Sequence, residues 1–467
     1  MALSSKVGIG TAVHMWVTAP GFYFIERGLM GLRPNSTWWA QLIPLAAGIA
    51  AVPATYWLAR TFSLGRRVAL MLALFVCVSP VTVMYSTRVK EYGADFLLSC
   101  LLLWCTEVAR RRRTDSQYRL LAVISVLAFV VSASVGPEIA ATWTALALLS
   151  GTWEHLRRHV LPVAIVVAVG CCAIAGTFYR HLSPYIGKPW IGWYVVHTSP
   201  TAFIGSVVVT LWRLFGDLFD VPRWSPTLDL LVFIGFCGLL VAGLSRGRAM
   251  LAPACLVVAA LGSSAMGVTP LGTGRTDEYL YPALLVLVGS GIARVASPVL
   301  SSMSRATRYA TFAVAVLVGA VMVAHALVSA PPYPGVNVGQ LAAEVQHAEQ
   351  PGDHVVVGEL MRYPWALYED RTPHIEFGPD WSTGFTVVST DPSTFIVPSE
   401  PYEGGSRPTQ WAAQLSTNRR LWFVGTSPHP SSPTYKALRR LGWRPVRTLR
   451  APGCAAILLQ RSDLRGT

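Results

Sequence analysis

Long apolar stretches recur along this chain, each close to the roughly 20 residues that a helix needs to cross a bilayer. They fall near 37–59, 68–85, 93–109, 119–135, 138–153, 159–178, 227–245, 249–267, 279–296 and 309–329. In lipid a backbone must satisfy its own donors and acceptors, so runs of this kind fold as helices. Composition agrees. Of 467 residues, 52% are hydrophobic and 13% are charged, against roughly 25% charged in soluble domains. A water-soluble globule is excluded. The sequence predicts a multi-span α-helical membrane protein with a small C-terminal extracytoplasmic α/β domain. Its regions are an amphipathic interfacial segment at 1–36, a transmembrane domain at 37–330 and the α/β domain at 331–467.

The formal charge of +14 would suit nucleic acid in a soluble protein, but its placement points to a membrane instead. One set of loops holds Arg60, Arg66, Arg67, Arg110 to Arg113, Arg119, Arg157, Arg158, Arg246, Arg248, Arg294, Arg305 and Arg308. Lys and Arg gather on the cytoplasmic side of membrane proteins. That side is therefore inside, and the loops around 85–92, 179–226 and 268–278 lie outside with the tail. Seven of the eight cysteines sit in apolar runs and none forms a CxxC pair, so neither a disulfide framework nor a zinc site is indicated. The tail opens at Pro331-Pro332-Tyr333-Pro334. Strands are expected at 355–357, 421–424 and 455–459, with an amphipathic helix at 432–441. This alternation suggests a three-layer unit.

Two outward loops concentrate ionisable groups against helix starts. The first runs Tyr85-Ser86-Thr87-Arg88-Val89-Lys90-Glu91-Tyr92-Gly93-Ala94-Asp95. The second runs Gly272-Thr273-Gly274-Arg275-Thr276-Asp277-Glu278-Tyr279-Leu280-Tyr281. Charges at a membrane boundary are costly and mark functional sites. Arg88, Lys90 and Arg275 stand where positive charge is disfavoured and suit a lipid phosphate, Arg as a fork and Lys as a point charge. The bland alternative is that they snorkel to headgroups, while Asp277 caps a helix and Tyr281 joins an interfacial belt. Glu91 and Asp95 are four apart, on one helical face if the helix starts that early. Residues 201–219 look like an amphipathic helix lying along the interface, and Glu138 either caps a helix or faces the cavity.

Several short motifs resemble the bacterial polytopic GT-C glycosyltransferases of the protein-mannosyltransferase-like group. Ala19-Pro20-Gly21-Phe22-Tyr23-Phe24-Ile25-Glu26-Arg27 is similar to that group's interfacial helix. Ser79-Pro80, Tyr85-Ser86 and Arg88-Val89-Lys90-Glu91-Tyr92 resemble its outer loop, and the run to Pro282 resembles the element that opens a late span. The resemblance implies an enzyme of the bacterial cell membrane. Such an enzyme takes a sugar from a polyprenyl-phosphate donor and gives it to an acceptor glycan, lipid or protein, with no nucleic-acid partner. It implies lipid-phosphate or substrate binding by Arg88, Lys90, Tyr92, Arg275, Asp277 and Tyr281. The group's key acidic residue lies in a first outer loop, yet no Asp or Glu precedes Glu26. The first helix and its acidic motif are therefore expected to be missing. Glu91 or Asp95 would then serve as base, or as ligand to a divalent metal ion. A catalytically inactive homologue acting as a binding partner and a lipid-linked sugar transporter are the alternatives.

Overall fold

The structure, a computed structural model, describes residues 19–32, 37–179 apart from 87 and 89, 188–219, 226–302 apart from 274 and 275, 337–358, and shorter stretches between 361 and 461. The span expected at 309–329 and most of the 1–36 segment lie outside the described residues. Among the described residues, seven helices are long and apolar enough to cross a membrane. This is a multi-pass membrane protein.

The first described helix, α1 (Pro20–Leu32), buries Phe22, Tyr23, Glu26 and Met30 along one stripe, the pattern of an amphipathic helix. It packs on α2 (Thr37–Thr61) and α6 (Asp115–Val131). The span expected at 68–85 is not continuous. It divides into α3 (Arg66–Val78) and α4 (Pro80–Ser86). Pro80 has no N–H and forces the residue before it out of the helical region. Ser79 accordingly takes ψ 120°, and its hydroxyl donates to the Leu218 carbonyl at 3.3 Å.

Helix α5 (Tyr92–Arg112) is the hub, packed against α2, α6, α7 (Gly136–Leu149) and the short turn Glu278–Leu280. Its C-terminal end is fixed by Glu107, buried, which accepts from Arg110 twice at 2.6 Å and from Arg111 at 2.7 Å. Arg113 closes the helix in the left-handed region at φ 53°. Between α6 and α7 only the single turn Ala133–Val135 intervenes, so the two run antiparallel. Helix α8 (Leu161–Ile174) is flanked by wider π-helical turns and presents most of its apolar surface outward, as lipid contact requires.

A helix forms over the residues expected to lie along the interface, α9 (Pro200–Phe219), and its Pro200–Leu218 part is long and apolar enough to span. Three helices complete the described bundle: α10 (Pro226–Leu244), α11 (Leu251–Ala265) and α12 (Tyr281–Ser302). Helices α10 and α12 approach until backbone meets backbone. A Cβ on Gly243 would stand 2.1 Å from the Leu287 carbonyl oxygen, and one on Gly291 would stand 2.1 Å from that of Leu239. Small residues at membrane helix crossings permit this contact.

The C-terminal domain is a mixed sheet with helices on both faces. Its strands are β1 (His354–Val357), β4 (Thr394–Ile396), β5 (Arg420–Gly425), β6 (Trp443–Ala451) and β7 (Cys454–Arg461), in the order β4-β1-β5-β7-β6. A separate hairpin pairs β2 (His374–Phe377) with β3 (Phe385–Val388). Strand β1 is parallel to β4 and β5, and β7 is antiparallel to β5 and β6. Alternation divides the core. Val355, Val357, Trp422 and Leu458 face α13 (Val338–Ala348), whereas Val356, Phe423, Ile457 and Leu459 face α14 (Pro433–Arg440). Burial on both faces explains the continuous apolar runs of β1, β5 and β7.

Candidate functional site

The first outward loop turns tightly between α4 and α5. The Arg88 N–H donates to the Tyr85 carbonyl at 3.4 Å, and the Lys90 N–H to the Arg88 carbonyl at 2.8 Å. The Arg88 guanidinium lies 5.6 Å from the centre of the Tyr85 ring. Tyr85 in turn meets Tyr92 edge-on at 5.4 Å. Both tyrosines are buried and form part of the turn's own packing. Gly93 allows this closeness, because a Cβ there would sit 3.3 Å from the Tyr85 carbonyl oxygen and 3.5 Å from that of Pro44.

From this turn α5 carries carboxylates inward. Glu91 sits at its N-cap position, and the Asp95 N–H donates to the Glu91 carbonyl at 3.0 Å, so the two share a face. Asp95 is fully buried, within electrostatic range of Glu91, Glu138 and Glu278 and beside the hydroxyls of Ser132 and Ser134. Glu138 is also fully buried and accepts from Ser99 at 2.9 Å, while its other oxygen has no partner among the described residues. Neither oxygen of buried Glu278 has one. Three buried carboxyl groups from α5, the start of α7 and the Glu278–Leu280 turn thus lie inside an apolar bundle, with Asp95 in electrostatic range of the other two. Such groups are expensive in a membrane, and they mark substrate or proton paths.

The second loop is held by its own aspartate. Asp277 accepts from the Gly272 N–H at 3.2 Å and from the Thr273 hydroxyl at 2.9 Å. Gly272 is required twice, for its φ of 72° and because a Cβ would stand 2.6 Å from Cβ of Arg213. Arg213 pins a third segment: it lies 4.4 Å from the Trp193 ring centre and donates to the Gly192 carbonyl at 3.0 Å. The Trp193 carbonyl then accepts from the Leu271 N–H at 3.1 Å. The three outer segments are thus laced together. An open groove of 670 Å³ beside them is lined by Tyr194, His197, Ser264 and Met266, and burial pushes the Tyr194 phenol up. Outside the spans, burial pushes the Glu26 carboxyl up to about 7.

The structure sets the Glu278–Leu280 turn against α5, so the two motifs are neighbours although far apart in sequence. Tyr281 is fully buried in electrostatic range of Asp277, Glu278 and Tyr85, and its hydroxyl has no partner among the described residues. Arg275 lies outside the described residues. Sequence reasoning did not place Glu138 and Glu278 with Asp95, though a carboxylate at the start of an apolar helix was the available signal. Among the described residues no three His, Cys, Asp or Glu side chains gather as a metal site.

Comparison with protein-family models gives no match, and comparison with curated proteins gives none either. Solved structures do match. The crystal structure of ArnT from Cupriavidus metallidurans bound to undecaprenyl phosphate is similar with a TM-score of 0.55 and 14% identity, over 96% of this chain and 89% of that one. Its apo form gives 0.49 at 14% identity over the same shares. The mycobacterial arabinofuranosyltransferase AftD gives 0.44 at 13% identity, over 93% of this chain and 36% of that one. The described apolar helices and the small mixed-sheet domain together have a GT-C-like fold.

Proposed function

We propose that the chain is a membrane glycosyltransferase that moves a sugar from a polyprenyl-phosphate donor to an acceptor glycan, lipid or protein at the outer face of a bacterial cell membrane. The observation that carries this reading is the burial of Asp95, Glu138 and Glu278 inside the bundle, with Asp95 one helical turn below the Arg88–Lys90 loop and in electrostatic range of the other two. In transfer, an acceptor hydroxyl attacks the anomeric carbon, the carbon–oxygen bond to phosphate breaks, and polyprenyl phosphate leaves with the bonding electrons. The acceptor's proton passes to a carboxylate, Asp95 or Glu91. Arg88, Lys90 and Arg275 stabilise the departing phosphate by fixed charge. The similarity of the fold to a protein crystallised with undecaprenyl phosphate supports the lipid class.

The test is sugar transfer by the full chain in nanodiscs, from synthetic polyprenyl-phosphate pentoses and hexoses to cell-envelope acceptors. Asp95→Asn should lower the rate by about 10²-fold or more, the scale of general acid–base catalysis. Arg88→Ala and Arg275→Ala should each weaken binding of undecaprenyl phosphate by about 1.5–3 kcal/mol, as for a lost charged hydrogen bond. Unchanged lipid binding in both arginine variants would return those cations to headgroup snorkelling and overturn the assignment.

A further inference from the structure

The C-terminal domain has a one-sided charge. Residues 433–461 contain Lys436, Arg439, Arg440, Arg444, Arg447, Arg450 and Arg461, and no Asp or Glu. They lie on α14 and on β6 and β7, and β6 is the last strand of its sheet, with no other described strand on its outer edge. The side chains of Arg440, Arg444, Arg447 and Arg450 are exposed and form no hydrogen bond or ion pair with another described residue. Among the described residues of this domain, the exposed large apolar side chains are Leu441 and Val446, 40% and 59% exposed, and both lie within this basic stretch. Val446 falls at the register shift between Pro445 and Arg447, where the ladder to β7 is interrupted.

We infer that this edge of the domain lies on an anionic phospholipid surface, with the arginines at headgroup phosphates and Leu441 and Val446 entering the interface. Basic residues are drawn to an anionic leaflet, and apolar side chains among them add area buried at the headgroup boundary. An acidic polysaccharide would use the same charges but would have no need of two exposed aliphatic side chains. The bilayer is also close at hand, since only eight residues separate the apolar run expected to span at 309–329 from the start of α13. Pro445 and the arginines keep this edge from pairing with another strand, so its exposure does not call for a β partner.

The test places a photo-crosslinking benzophenone amino acid at Val446 in the full chain, reconstituted in nanodiscs. Crosslinks to lipid are read by mass spectrometry. With about 30% phosphatidylglycerol in phosphatidylcholine, lipid crosslinking should rise about threefold or more over phosphatidylcholine alone and fall with added salt. The combined variant Arg444→Gln, Arg447→Gln, Arg450→Gln should return it to the phosphatidylcholine level, with an unchanged melting temperature showing that the fold is retained. Equal crosslinking in both lipids would overturn the inference. So would absent lipid crosslinks together with capture of soluble polygalacturonate, which would reassign the edge to an acidic glycan.

Discussion

Ser99 on α5 donates its hydroxyl to Glu138 on α7 across 2.9 Å of otherwise apolar contact. The other carboxylate oxygen has no described partner, so this bond is a large share of what compensates burial of the group. Ser99→Ala should destabilise the protein by about 1–3 kcal/mol, the cost of a buried polar group losing its partner. Glu138→Gln keeps an acceptor for Ser99 and should leave stability nearly unchanged while lowering sugar transfer. Thermal unfolding in detergent and the nanodisc assay separate the two effects.

Gly243→Ala and Gly291→Ala test the α10–α12 crossing. Each adds a methyl group where a carbonyl oxygen already stands 2.1 Å away. The helices must separate, and overpacking of this kind costs about 1–3 kcal/mol. Both variants should melt several degrees lower, whereas Gly235→Ala, with nothing within 4 Å, should melt like the wild type.

Glu26 gives a pH dependence. Its carboxyl is buried, and its pKa rises from 4.5 to about 7 on folding. The folded protein therefore binds more protons than the unfolded chain between those values. Burial costs nothing below pH 4.5, and the penalty grows as pH rises to about 7 and is then constant. Glu26→Gln should flatten the stability profile over that window and raise stability at neutral pH by roughly 3 kcal/mol at most, from 1.36 kcal/mol per unit. Chemical denaturation at pH 5 and pH 8 reads the difference, and an equal response of both proteins would refute it.

Arg213 is predicted to act through its plane. Arg213→Lys keeps the charge but cannot both stack on Trp193 and donate in the same geometry to Gly192. Residues 188–199 should become more susceptible to protease in this variant and in Arg213→Ala alike, with little change in melting temperature.

The helical bundle was largely legible because lipid imposes length and composition on each span. The exception is Ser79-Pro80: hydropathy ran across it, whereas the backbone could not. In the tail, β1, β5 and β7 were visible as apolar runs, since both faces of each are covered. Strand β6 was not, because its exposed arginines follow the demands of an edge rather than of a core. The site was half legible. The spacing of Glu91 and Asp95 announced a shared face, but the approach of Glu138 and Glu278 arises from the packing of α7 and the 278–280 turn on α5. No local pattern encodes that approach. Asp277 and Tyr92 were read as substrate contacts from their place in the loops, and in the structure each also packs within its own loop.

The glycine contact between α10 and α12 also orders the protein's biogenesis. During synthesis α10 leaves the ribosome before α11, yet α11 packs on α7 while α10 lies against α12. Until Leu287 and Gly291 have been inserted, the bare backbone at Gly243 lacks the helix it packs on. The two helices must then find each other sideways in the plane of the membrane, after both already span it. A chain stopped between residues 265 and 280 would hold every element of α10 and still leave that helix unseated.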